Sequence, residues 1–73
     1  MGKKSKGTIP LSVLRQSRNM TQVDLSNTLN VSRSLIGLYE TGKRKPSLAT
    51  ALKISDFFNV PVENISFSNN SVR

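Results

Sequence analysis

The 73-residue sequence has no cysteine and no histidine. The first absence excludes disulfides and thiolate metal sites. The second removes the commonest general base, the commonest metal ligand and every catalytic triad built on imidazole. Carboxylates are scarce as well: Asp24, Glu40, Asp56 and Glu63 make up the set, and a domain this small offers little cleft in which to use them. Neither an enzyme nor a cofactor-dependent protein is expected. Long apolar runs are also missing. None spans a bilayer, and Lys3, Lys4 and Lys6 are not followed by the apolar stretch a secretory signal needs. The expectation is a single cytoplasmic domain without a membrane partner.

What the chain does have is positive charge. Eleven Lys and Arg stand against four Asp and Glu, giving a net charge of +7, a balance that points to polyanions. The excess is confined to residues 1–45, where Lys3, Lys4, Lys6, Arg15, Arg18, Arg33, Lys43, Arg44 and Lys45 face only Asp24 and Glu40; the remainder is neutral.

Residues 1–8 contain no large apolar group after Met1 and read as a flexible basic arm. Pro10 opens a first helix, about 10 to 18, with Leu11 and Leu14 inward and Val13 at the edge; Asn19 stops it. Thr21 and Asp24 form a capping box for a second helix, about 22 to 29, carrying Val23, Leu25 and Leu29. Asn30 suits a positive φ, and Ser32 caps a third helix, about 33 to 41, ended by Gly42. Two short helices joined by a three-residue turn make a helix-turn-helix unit. Beyond the basic loop, Ser47 caps a fourth helix, about 48 to 58, with Leu48, Ala51, Leu52, Ser55 and Phe58 at helical spacing. Pro61 opens a short fifth helix, about 61 to 65. Phe58 and Ile65 are expected in the core. Residues 67–73 read as a flexible tail, which leaves 9–66 as the folded domain. No strand is expected: the domain is all α.

The run TQVDLSNTLNVSRSLIGLYETGKRKPS resembles the helix-turn-helix of the phage Cro and CI repressor (XRE) class. Gln22, Leu25, Leu29, Val31, Ser32, Ile36, Glu40, Gly42 and Lys43 carry the likeness, and Pro46, Ser47, the LKI of the fourth helix and the VPVENI ending extend it over residues 9–66. The chain is also similar to the small single-domain Cro-like proteins of temperate phages of Gram-positive bacteria. The resemblance implies a compact five-helix, lambda-repressor-like DNA-binding domain that regulates transcription in a lysis/lysogeny switch, with double-stranded operator DNA as partner. Asn30 stands where the class most often has Gly. The recognition helix departs further, offering Arg33, Ser34, Leu35, Gly37 and Leu38 where polar base readers are usual.

With Ile36 and Tyr39 inward, Arg33, Ser34, Gly37 and Leu38 face outward and Leu35 lies at the edge. Arg33, Ser34 and Leu38 are the expected base contacts, through guanine, a base edge or phosphate, and a thymine methyl respectively. Gln22, Ser32, Thr41, Lys43, Arg44 and Lys45 are the expected phosphate contacts; for Gln22 the resemblance implies both a phosphate bond and a brace on the third helix. The resemblance also implies a structural ion pair between Arg15 and Glu40. An alternative stays open: Arg33, Leu35, Gly37 and Leu38 as an anchor surface for a partner CI-like repressor, since exposed apolar clusters mark protein contacts. Phe57, Phe58, Val60, Val62, Ile65 and Phe67 exceed what a small core absorbs. One or two of them, Phe67 foremost, are candidates for the weak homodimer contact that the class implies.

Overall fold

The computed structural model describes residues 8–67. Of the expected basic arm, residues 1–8, only Thr8 is described, and it is exposed; of the expected tail, residues 67–73, only Phe67 is described, and it packs half-buried against the core rather than hanging free. Four helices follow a short strand: β1 (Ile9–Pro10), α1 (Leu11–Ser17), α2 (Gln22–Leu29), α3 (Arg33–Thr41) and α4 (Leu48–Phe58). A 3₁₀ turn (Val62–Asn64) then leads into β2 (Ile65–Ser66).

Local chemistry sets the boundaries. Thr21 Oγ1 accepts from the Asp24 amide at 3.0 Å while Asp24 Oδ2 accepts from the Thr21 amide at 2.9 Å, a reciprocal capping box. Ser32 and Ser47 cap α3 and α4 by accepting from the Leu35 and Thr50 amides. Asn19, Asn30, Asn59 and Gly42 all take positive φ just beyond a helix, where Asn and Gly carry the smallest penalty.

The expected fifth helix is not formed. Only three residues separate Pro61 from Ile65, too few to repay helix nucleation. The chain instead makes one tight turn, with the Asn64 amide donating to the Pro61 carbonyl at 2.9 Å. Ile65 is extended, and β2 pairs in parallel with β1, Ile9 against Ile65 and Pro10 against Ser66. The domain is therefore mostly helical rather than all α. This ladder gives backbone partners to segments with no helix to satisfy them, and it ties the start of the described chain to its end.

Leu11, Leu14, Leu25, Leu29, Ile36, Tyr39, Ile54, Phe58 and Ile65 form one buried cluster, so all four helices and β2 contribute to a single core, with Ile9 of β1 packed against it. Helix α4 buries Ala51 and Phe58 as its spacing suggested, but is rotated so that Ile54 replaces Leu48 and Leu52 inside. Ala51, Ile54 and Phe58 are buried, whereas Leu48 is 73% and Leu52 50% exposed. Both sets fit a helical period, so spacing alone does not choose between them. Arg18 closes the far side, its guanidinium over the Phe57 and Phe58 rings at 5.0 and 5.3 Å and donating to the Phe57 carbonyl at 3.1 Å. Among the described residues no helix is long and apolar enough to cross a membrane.

Candidate nucleic-acid interface

Helices α2 and α3 pack against each other across the turn Asn30–Ser32. Asn30 is left-handed (φ 59°), and the Val31 amide donates to the Ser26 carbonyl at 3.0 Å, which reverses the chain within three residues. Val31 packs on the core. Ser26, buried in α2, turns its hydroxyl back to the Val23 carbonyl at 2.7 Å, so no polar atom is stranded.

One face of α3 is fixed inward by Ile36, Tyr39 and Glu40, all buried. The opposite stripe begins with Arg33 and Ser34, both exposed, continues through half-buried Gly37 and Leu38, and ends at exposed Thr41. Leu35 is also half-buried but packs against the core. The stripe is thus polar at its N-terminal end and apolar only at Leu38. A basic side chain at the first position of a helix whose other face is locked can reach a base edge in the major groove.

Glu40 would repel a polyanion if it faced out. It is instead the centre of a buried network joining three helices. Arg15 donates to it from Nε at 2.7 Å and from Nη2 at 3.2 Å, and Nη1 donates to the Met20 carbonyl at 2.8 Å. Gln22 Nε2 donates to Glu40 Oε1 at 3.1 Å. The carboxylate therefore orients α3 against α1 and the start of α2 and is charge-paired within the domain. That Gln22 braces α3 was implied by the resemblance; that Glu40 accepts its bond was not, because the partner depends on how α2 is rotated against α3. In this arrangement the Gln22 amide braces the recognition helix.

The remaining expected phosphate contacts divide by hydrogen-bond chemistry. Ser32 Oγ accepts from the Leu35 amide, which leaves its own proton free to donate outward. The Thr41 hydroxyl donates to the Gly37 and Leu38 carbonyls at 3.0 and 3.3 Å, so it must rotate before it can donate to a phosphate. Lys43, Arg44 and Lys45 are exposed directly beyond Gly42. The Lys43 and Arg44 amides both donate to the Leu38 carbonyl, at 3.0 and 3.3 Å, which fastens the basic loop to the end of α3. Phe57, Val60 and Phe67 are half-buried and packed on the core, whereas Val13, Val23, Leu48 and Leu52 are the exposed large apolar residues among those described.

Comparison with known proteins agrees with this geometry. The helix-turn-helix family model matches residues 11–65. An HTH-type transcriptional regulator of Methanocaldococcus jannaschii is 47% identical over 55 residues, covering 75% of this chain and 83% of that protein. The transcriptional activator BcrR of Enterococcus faecalis is 38% identical over 55 residues, 75% of this chain but 27% of its own length. The cryptic phage CTXphi transcriptional repressor RstR of Vibrio cholerae is 32% identical over 52 residues, 71% of this chain and 47% of its own. The chain belongs to the helix-turn-helix family, of the XRE type, a family of DNA-binding transcriptional regulators.

Proposed function

We propose that the chain regulates transcription by seating α3 in the major groove of operator DNA, in the genetic switch of a phage. Arg33, Ser34 and Leu38 read bases there; Gln22, Ser32, Thr41, Lys43, Arg44 and Lys45 hold the flanking phosphates. The observation that carries this reading is the division of α3 itself: a locked inner face, an outer stripe starting at exposed Arg33, and a basic loop fastened to its end. Occupying a promoter is enough for repression and needs no catalysis. The likeness to a phage repressor supports the switch assignment. The likeness to an activator means that the domain does not itself fix the sign of regulation.

The test is fluorescence anisotropy at about 0.15 M salt, with DNA flanking the chain's own gene against a scrambled duplex. The native fragment is expected to bind with a Kd of roughly 10⁻⁸ to 10⁻¹¹ M and the scrambled one far more weakly. Arg33→Ala should cost about 1 to 3 kcal/mol and relax selectivity at one base pair. Weak, equal binding to both duplexes would overturn the reading. It would also favour the second one, in which the same face binds the DNA-binding domain of a partner CI-like repressor. That reading draws on half-buried Leu38 beside Gly37 but loses Leu35, which packs against the core. A weak homodimer on the operator remains part of the proposal, because paired domains set two recognition helices about one DNA turn apart.

A further inference from the structure

Gly37 sits in the middle of a nine-residue helix, where glycine is a poor choice: it leaves more backbone entropy to lose on folding than any other residue. Nothing inside the domain requires it. Gly42, not Gly37, is the glycine in the left-handed region. Apart from its chain neighbours and the backbone of its own helix, a Cβ added at position 37 would meet no atom within 4 Å, so no packed neighbour needs the space. A weakness in the recognition helix without an internal cause points to something that approaches from outside.

The surroundings define what that is. One turn before Gly37 on the same face are Arg33 and Ser34, both exposed. Leu38 lies beside it, half-buried, and Thr41 one turn later anchors its hydroxyl on the Gly37 carbonyl at 3.0 Å. Along the helix the gap therefore lies between an exposed arginine one turn earlier and an aliphatic residue beside it. In the major groove each base pair offers hydrogen-bonding edges, and a thymine adds an apolar C5-methyl group that projects into the groove. We infer that Gly37 is a specificity-determining position: the missing side chain lets the α3 backbone close onto a thymine, whose methyl group occupies the gap beside Leu38 while Arg33 bonds the neighbouring base. This rests on the operator-binding reading above and adds to it a base identity and a steric reason. Carbon atoms keep about 3.5 to 4 Å apart, so an alanine methyl and a thymine methyl cannot share the gap. With alanine the helix must ride further out, which loosens the Arg33 contact.

The experiment uses the full chain and an operator selected from random duplex DNA. Gly37→Ala should raise the midpoint of thermal unfolding by about 2 to 8 °C and lower operator affinity roughly tenfold to a hundredfold, the worth of one bidentate base contact. Replacing thymines by uracil one at a time removes single methyl groups without changing base pairing. At one operator position this substitution should weaken the unmodified protein and restore most of the affinity lost by Gly37→Ala. Undiminished binding by Gly37→Ala would overturn the inference, since no base would then approach the gap. A loss that no uracil substitution recovers would overturn it too. Failure of the underlying reading looks different: the unmodified protein would then select no sequence from the pool.

Discussion

A carboxylate on the recognition helix of a chain with net charge +7 is explained only at the level of single atoms. Glu40 and Arg15 side chains are 8% and 12% exposed, and in such surroundings the cost of removing ions from water rivals their mutual attraction. The pair therefore contributes geometry more than net stability: it fixes which face of α3 is turned out. Breaking it from one side is another matter. Arg15→Met leaves a buried carboxylate whose strongest partner is gone, expected to cost about 3 to 5 kcal/mol, comparable to what a core of this size supplies. Urea unfolding followed by circular dichroism should show that variant largely unfolded at 37 °C. Adding Glu40→Leu should recover most of the loss; a double variant no better than the single one would mean that the network stabilises the fold outright. The pair was legible in the sequence only through its likeness to a family, since 25 residues separate its members. The resemblance implied that Gln22 braces α3 as well as bonding a phosphate, but its partner Glu40 was not legible.

Helix ends show a device repeated through the fold. Asn19, Asn30 and Asn59 each take a left-handed conformation and are each followed by an apolar residue, Met20, Val31 or Val60, packed on the core. Where this happens the chain turns back by bonding amides beyond the helix to carbonyls of its last turn, as Val60 does to Ser55 at 3.1 Å. Helix α3 differs: its left-handed residue is Gly42, and Lys43 follows. Three helix ends thus point into the core, and the end of the recognition helix points away from it with a charge. These signals made the bounds of α2, α3 and α4 readable, because each has an identifiable cap at both ends. They say nothing about rotation, which is why the exposure of Leu48 and Leu52 was missed, and nothing about backbone left without helical partners, which is why β1 and β2 were missed. Asn30 tests the device. Asn30→Ala should lower stability by about 1 kcal/mol, the penalty for an ordinary side chain in the left-handed region. Asn30→Gly should stay within about 0.5 kcal/mol of the starting protein. Equal losses in both, measured by thermal unfolding, would show that the Asn side chain matters for more than its tolerance of positive φ.

At the scale of the whole molecule the question is how charge and shape cooperate on a polyanion. The positive excess lies in residues 1–45 and the C-terminal third is neutral, so the molecule is electrically one-sided in sequence. The fold converts part of that into position: Arg33 opens α3, while at its other end Lys43 and Arg44 are held by their amides on the Leu38 carbonyl and Lys45 follows them, exposed. In the proposed seating on DNA, a helix flanked in this way would have one cation where bases are read and three where the backbone of the duplex passes. The two ends should therefore separate in a salt titration. Each phosphate neutralised contributes about 0.9 to the slope of log affinity against log salt. Lys43→Ala should weaken native and scrambled duplexes by similar factors and flatten the slope by about one. Arg33→Ala should weaken the native duplex selectively, because a bond to a base edge carries sequence information and a bond to a phosphate does not. Should Lys43→Ala leave the slope unchanged, the loop does not lie along the backbone and α3 must find its register by base contacts alone. Should Arg33→Ala act equally on both duplexes, its guanidinium belongs to the phosphate set, and Ser34 and Leu38 are left to supply the selectivity.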